Sequence, residues 1–222
     1  MPQKPFLKWV GGKTQILSDI LSTFPTTIRN YYEPFLGGGS VLLGLLSSNI
    51  IIKGGVYAYD ANPSLIWTFK HIQTNPDGLW TFIDLYMKKY DSITGEDINR
   101  NPDGENAAMG SKESYYYWLR KQFNQLDKTT LECAAIFMII NKTCFRGMYR
   151  EGPNGYNVPY GHYKKTPTIT TLAELKAISK LIEPVVFECR DFRESLGEIS
   201  GDGNGNGNGN GDGDGNGNGN GD

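Results

Sequence analysis

The sequence predicts an α/β fold built on parallel strands, and three observations carry that prediction. A short strand candidate, NYYEPF (30–35), runs into the glycine turn Gly37-Gly38-Gly39. A helical stretch, SVLLGLLSS, follows directly from Ser40. After a break at Gly54-Gly55, a second strand candidate, VYAYD (56–60), ends on an acid. Strand, glycine turn, helix and strand in that order make the opening βαβ unit of an α/β sheet.

The remaining elements follow along the chain. KTQILSDILSTF puts Ile16, Leu17, Ile20, Leu21 and Phe24 on one helical stripe. Ser40 stands where an N-cap is expected. After about residue 66 the texture changes. Residues 91–112 are polar around a loop-like NRNPDGEN core, while ESYYYWLRKQF and TLECAAIFMIINK are helical. The second of these runs its apolar face through Leu131, Ala134, Ala135, Met138 and Ile139. Segment 141–167 mixes Gly, Pro, aromatics and bases. A helix (172–182) and a strand, VVFEC (185–189), return to the α/β pattern. The expected organisation is an α/β unit from residues 1–66 and 168–200, with a largely helical insertion at 67–167 between its second and third strands.

From Gly201 to Asp222 glycine alternates with Asn or Asp, without one apolar side chain to bury. Such a stretch cannot offset its ordering entropy and is expected to be a disordered tail. A calcium-binding β-roll would need an aliphatic residue in each turn, and there is none. The tail's four aspartates also set the sign of the net charge, which goes from −2 to +2 without them. Global charge therefore neither requires nor excludes a nucleic-acid partner. Three scattered cysteines and two histidines, with no C-x-x-C pair, argue against a zinc site or disulfide framework and for a reducing interior. The N-terminus has no apolar signal core and no run approaches eighteen apolar residues, so a soluble, intracellular protein away from membranes is expected.

Three stretches bear chemistry. FLKWVGGKTQ (6–15) ends in Gly12-Lys13-Thr14, but a phosphate-binding loop would need glycine where Leu7 stands, and it should follow a strand. EPFLGGGS (33–40) lets backbone approach a ligand closely, and Asp60, 21 residues beyond Gly39, sits where a carboxylate can accept ribose hydroxyls. Segment 141–165 holds five bases against one acid, interleaved with five aromatics. Bases neutralise phosphates, Arg can read guanine edges, and aromatics can fill the gap left by an extruded nucleotide. A solvated loop with packed tyrosines is the plain alternative.

KWVGGK, EPFLGGGS, YDANPSLI and NKTCFRGMYR…YNVPYGHYKK, in this order and spacing, resemble the Dam-type (GATC-type) adenine-specific DNA methyltransferases over roughly residues 4–196. The resemblance implies a Rossmann-like methyltransferase sheet, S-adenosylmethionine as methyl donor and double-stranded DNA as partner, within the compartment that holds the genome. By resemblance Trp9 and Lys13 contact the donor, Phe35 with Gly37, Gly38 and Gly39 form its loop, and Asp60 holds its ribose. Asp191 and Phe192 fall at its adenine end. Phe145 matches the aromatic that supports base flipping, Arg150 the arginine that reads a guanine, and Arg146 a phosphate contact. Asn141, Lys142, Tyr149, Asn157, Pro159, Tyr160, Tyr163, Lys164 and Lys165 complete the implied DNA-facing set. One departure is specific. The family's catalytic Asp-Pro-Pro-Tyr should stand within about twenty residues of Asp191, yet the chain has no Pro-Pro and no proline after Pro184. The expectation is a family member truncated before its catalytic motif, and inactive alone. The rivals are a donor- or DNA-binding protein without catalysis, and one half of a split enzyme completed by a separate chain.

Overall fold

Val56, Ala58 and Tyr59 are buried along VYAYD, which lies at the centre of a parallel sheet. The structure, a computed structural model, describes residues 3–201; of the tail expected over 201–222, Gly201 ends the last helix and residues 202–222 lie outside the described residues. Residues 14–16 form a single 3-10 turn that leads into α1 (Leu17–Ser22). The expected stripe is only partly buried, with Leu17 inside and Ile16 49% exposed. Two pairs of strands follow in parallel: β1 (Thr27–Ile28) with β3 (Ile51–Ile52), and β2 (Tyr31–Glu33) with β4 (Val56–Asp60). Between them runs α2 (Ser40–Leu46). The cap position of α2 belongs to Gly39 at φ +71, not to Ser40, which is already helical and makes no capping bond.

Asn62 caps α3 (Pro63–Thr74), accepting from the N–H groups of Ser64 and Leu65, with proline at the first helical position. Asn75 does the same for α4 (Pro76–Ser92). The polar stretch after α4 holds only the short α5 (Glu105–Ala108) and is closed by a bridge between Glu96 and Ser111. α6 (Lys112–Gln125) and α7 (Leu131–Thr143) follow, capped by Ser111 and Thr130. α7 is buried on every face from Cys133 to Asn141, because α3, α4 and α6 all pack on it. It is the hub of the core rather than the one-faced helix its spacing suggests.

A hairpin of β5 (Glu151–Gly152) and β6 (Gly155–Tyr156) leads to α8 (Leu172–Leu181), which starts with a full capping box between Thr171 and Glu174. β7 (Val185–Cys189) then adds to β4, giving the parallel order β2-β4-β7 with Ala58 opposite Phe187 and Asp60 opposite Cys189. α9 (Phe192–Gly201) closes the described chain. Phe69 on α3 stacks on Phe187 at 5.2 Å and meets Phe6 at 4.9 Å, joining the sheet to the helices. The fold is α/β with a parallel sheet of the methyltransferase type. Among the described residues no helix is long and apolar enough to cross a membrane, and no cluster of three or more His, Cys, Asp or Glu has metal-binding geometry.

Candidate functional site

Parallel strands deliver their carboxyl ends to one edge of the sheet, so the segments after β2, β4 and β7 meet there. Leu36 N–H donates to the Tyr59 carbonyl and Arg190 N–H to the Asp60 carbonyl, at 2.9 and 3.1 Å. The Asp60 carboxylate is fixed from both sides. Its Oδ2 accepts from Gly37 N–H and its Oδ1 from Asn62 N–H, each at 2.9 Å. Every carboxylate oxygen has a second lone pair, so Asp60 keeps acceptor capacity for a ligand's hydroxyls. Beside it, Phe35 is 67% exposed and Phe192 40% exposed, with ring centres 5.2 Å apart. Two aromatic faces left in water next to an anchored carboxylate are uncommon in a structure whose other aromatics are mostly buried.

The glycines serve a purpose the sequence does not reveal. A Cβ on Gly37 would lie 2.9 Å from Trp9 Cδ1, and one on Gly38 would lie 3.0 Å from Trp9 Cβ. On Gly39 it would meet Phe69 Cζ at 2.6 Å. The space freed by these residues is therefore filled by Trp9 and Phe69, rather than left open for a ligand. Gly37 and Gly39 also hold positive φ, +51 and +71. Lys13 is exposed and tied to its own surroundings. Its N–H donates to Ser40 Oγ at 3.0 Å and its ammonium to the Gly11 carbonyl at 2.8 Å. Asp191 is forked by the Arg193 guanidinium at 2.8 and 3.1 Å, which holds its carboxyl down at about 2.

Glu33, one residue before the Pro-Phe of the turn, is an acid that motif reading passes over. Burial pushes its carboxyl up to about 7, against the lowering effect of hydrogen bonds from the Tyr31 hydroxyl and the Leu42 N–H, with Asp60 adding repulsion. The Tyr31 bond is 2.9 Å. No sequence signal distinguishes a buried glutamate from an exposed one.

The segment read as DNA-facing divides in two. Phe145 (43% exposed), Arg146, Arg150, Asn157, Pro159, Lys164 and Lys165 are on the surface. Arg146 has φ +56 and sits over the Phe145 ring, 5.2 Å from its centre. Arg150 is braced across the hairpin, its Nε donating to Asn157 Oδ1 at 2.7 Å. The other members face inward. Asn141 is buried on α7, and its amide accepts from Lys8 N–H and donates to the Lys8 carbonyl, at 2.9 and 2.8 Å. Tyr160 is buried with its hydroxyl 2.6 Å from that of Tyr90. Lys142 is half-buried, which pulls its ammonium below the usual range. Tyr163 accepts from Lys8 Nζ and donates to the Cys144 carbonyl. Tyr149 turns toward Trp9, with ring centres 5.3 Å apart. Asn141, in the last turn of α7, and Tyr160, bridged to Cys144 at its end, are thus buried where the surface members of the set are not.

An open groove of about 510 Å³ runs along Lys8, Trp9, Val10 and Gly12 to Arg146. A second, of about 590 Å³, lies between α6 and the hairpin, with Arg100, Arg120 and Lys121 around it. Those bases precede the 141–165 segment, and a search for local charge density passes over them.

Comparison with known proteins places the chain in a family. The family described as D12 class N6 adenine-specific DNA methyltransferase matches residues 9–203. The chain is 36% identical over 200 residues to the Type II methyltransferase M.MjaIII of Methanocaldococcus jannaschii, covering 86% of the chain and 63% of that relative. It is 31% identical over 196 residues to the DNA adenine methylase of Haemophilus influenzae, covering 88% and 59%. It is 33% identical over 183 residues to the Type II methyltransferase M1.LlaDCHI of Lactococcus lactis, covering 81% and 55%. The chain therefore spans about three fifths of the length of these curated relatives.

Proposed function

The chain belongs to the family of D12 class N6 adenine-specific DNA methyltransferases, and on that premise we propose that it holds S-adenosylmethionine at the strand ends and duplex DNA on its exposed hairpin segment. One observation carries the donor site. A carboxylate locked by two backbone N–H groups stands beside two exposed phenyl faces at the carboxyl edge of a parallel sheet. Asp60 would accept from the ribose hydroxyls, Phe35 and Phe192 would cover the purine, and Trp9 would wall the pocket behind the glycine turn. Lys13, at the rim, and Asp191, beside Phe192, complete the donor set. What the donor supplies when bound is an activated methyl group.

On the DNA side, Arg146, Lys164 and Lys165 supply charge for phosphates, and Tyr163 positions Lys8 among them. Arg150, with Asn157 and Pro159 beside it, reads a guanine in a GATC-like site, and Phe145 fills the gap left by the extruded adenine. Residues 67–167 act as the recognition unit and residues 1–66 with 168–200 as the donor unit.

The Asp-Pro-Pro-Tyr motif does not occur among these 222 residues. Polarising a weakly nucleophilic amine and holding it in line with a methyl group needs fixed acceptors, and positioning alone can account for roughly 7–11 kcal/mol of a barrier. These residues by themselves are proposed to bind both substrates without transferring methyl. Labelled S-adenosylmethionine incubated with the purified 222-residue chain and GATC duplex should leave the DNA unlabelled. Adding a relative's segment that carries Asp-Pro-Pro-Tyr should restore label. Measurable transfer by the chain alone would mean that another residue does this work.

A further inference from the structure

We propose that Tyr149 is a positioning residue that links the recognition hairpin to the donor pocket, so that DNA and donor strengthen one another's binding through it. The proposal deepens the reading above and rests on it.

The argument starts from how tightly Trp9 is held. One side of Trp9 lies against Gly37 and Gly38 so closely that no side chain fits there. Gly37 in turn donates to Asp60. Any tilt of the indole must therefore move the turn or the carboxylate. The other side of Trp9 is held by Tyr149, at 5.3 Å between ring centres, and by Phe137 of α7 at 6.5 Å. Tyr149 also packs on Tyr156 of β6 at 5.5 Å, and its hydroxyl donates to Glu151 of β5. It thus touches both strands of the hairpin and Trp9, which itself backs the donor turn. The hydroxyl also lies beside Asn62, the N-cap of α3, and Ser64 in its first turn.

The neighbouring residue Lys8 is clamped with equally little slack. Asn141 bonds both its N–H and its carbonyl, and a Cβ on Gly147 would come within 2.4 Å of Lys8 Cβ. Segment 8–12 is thereby held between two surfaces, one leading to Asp60 and one to the hairpin that carries Arg150. Close-packed contacts of this kind transmit displacement rather than absorb it. A hairpin held in one orientation by DNA should hold Trp9, and through it the turn, in one orientation as well. Linkage makes the effect reciprocal, with couplings commonly of about 5- to 150-fold.

The test uses the 222-residue chain, with Tyr149→Ala, Tyr149→Phe and, as a core-cavity control, Leu175→Ala in α8, a buried residue outside the Tyr149–Trp9 contact. Calorimetry gives the S-adenosylmethionine Kd with and without saturating GATC duplex, and their ratio is the coupling factor. We expect about fivefold or more for wild type, a ratio near one for Tyr149→Ala, most of the wild-type ratio for Tyr149→Phe, and no change for Leu175→Ala. A residue that merely supports the fold would lower both affinities and leave the ratio alone. An unchanged ratio in Tyr149→Ala, or a ratio of one in wild type, overturns the proposal. Hydrogen exchange without any ligand decides the matter should either ligand fail to bind, an outcome that would count against the functional reading alone. Tyr149→Ala should speed exchange at least tenfold at Gly12 and Gly37 as well as at Asn157. Acceleration confined to the hairpin, or equal acceleration in Leu175→Ala, refutes the link.

Discussion

Replacing Glu33 with glutamine probes the electrostatics of the strand ends without changing their shape. Burial raises the Glu33 carboxyl from an ordinary 4.5 to about 7, with Asp60 adding repulsion and the Tyr31 and Leu42 hydrogen bonds partly opposing it. A folded-state value above the unfolded one means that the folded protein holds the proton more tightly. Its contribution is fully present below pH 4.5 and is lost as pH rises through 7. At 1.36 kcal/mol per pKa unit the loss is about 3 kcal/mol, an upper figure because Glu33 is only partly buried by accessible surface. Glutamine cannot ionise, and its carbonyl can still accept from the Tyr31 hydroxyl. Urea unfolding at pH 5 and pH 8 should therefore show Glu33→Gln gaining about 2–3 kcal/mol on wild type between the two pH values. A difference between the two proteins that stays constant across that range would refute the buried, neutral Glu33 on which the reasoning depends.

Other perturbations follow from the same contacts. Gly39→Ala must place a methyl at φ +71 against Phe69, and should cost about 1–3 kcal/mol of stability, read as a drop in Tm. Arg150→Ala should relax discrimination at one guanine by about 1–3 kcal/mol in binding to duplexes substituted there. Lys164→Ala should instead weaken binding to every sequence and lower the salt slope by about one. Equal effects of the two on random DNA would remove Arg150 from base reading.

Much of the sheet is legible in the sequence because its strands are short apolar runs with turn residues at both ends. VYAYD and VVFEC coincide with β4 and β7 residue for residue. α3 and α4 pass unread although each opens with Asn-Pro, an N-cap followed by proline at the first helical position. β1 and β3 are two residues each, too short for any periodicity to register. α7 shows the opposite difficulty. Its spacing suggests one apolar face, but helices on all sides bury the rest, and Asn141 goes inside with it. At the site, the motifs locate the turn and Asp60. Glycine in a turn cannot say whether its missing side chain leaves room for a ligand or for Trp9. Only packing decides that, as it does for Glu33 and Tyr149.

The account stands on a donor pocket centred on Asp60, and titrating S-adenosylmethionine into the wild-type chain and Asp60→Ala tests it most directly. Wild type should bind, more weakly than a full-length relative, and Asp60→Ala should lose at least tenfold in affinity while remaining folded by circular dichroism. A folded wild-type chain that takes up no donor, or an Asp60→Ala variant that binds as well as wild type, would contradict the pocket.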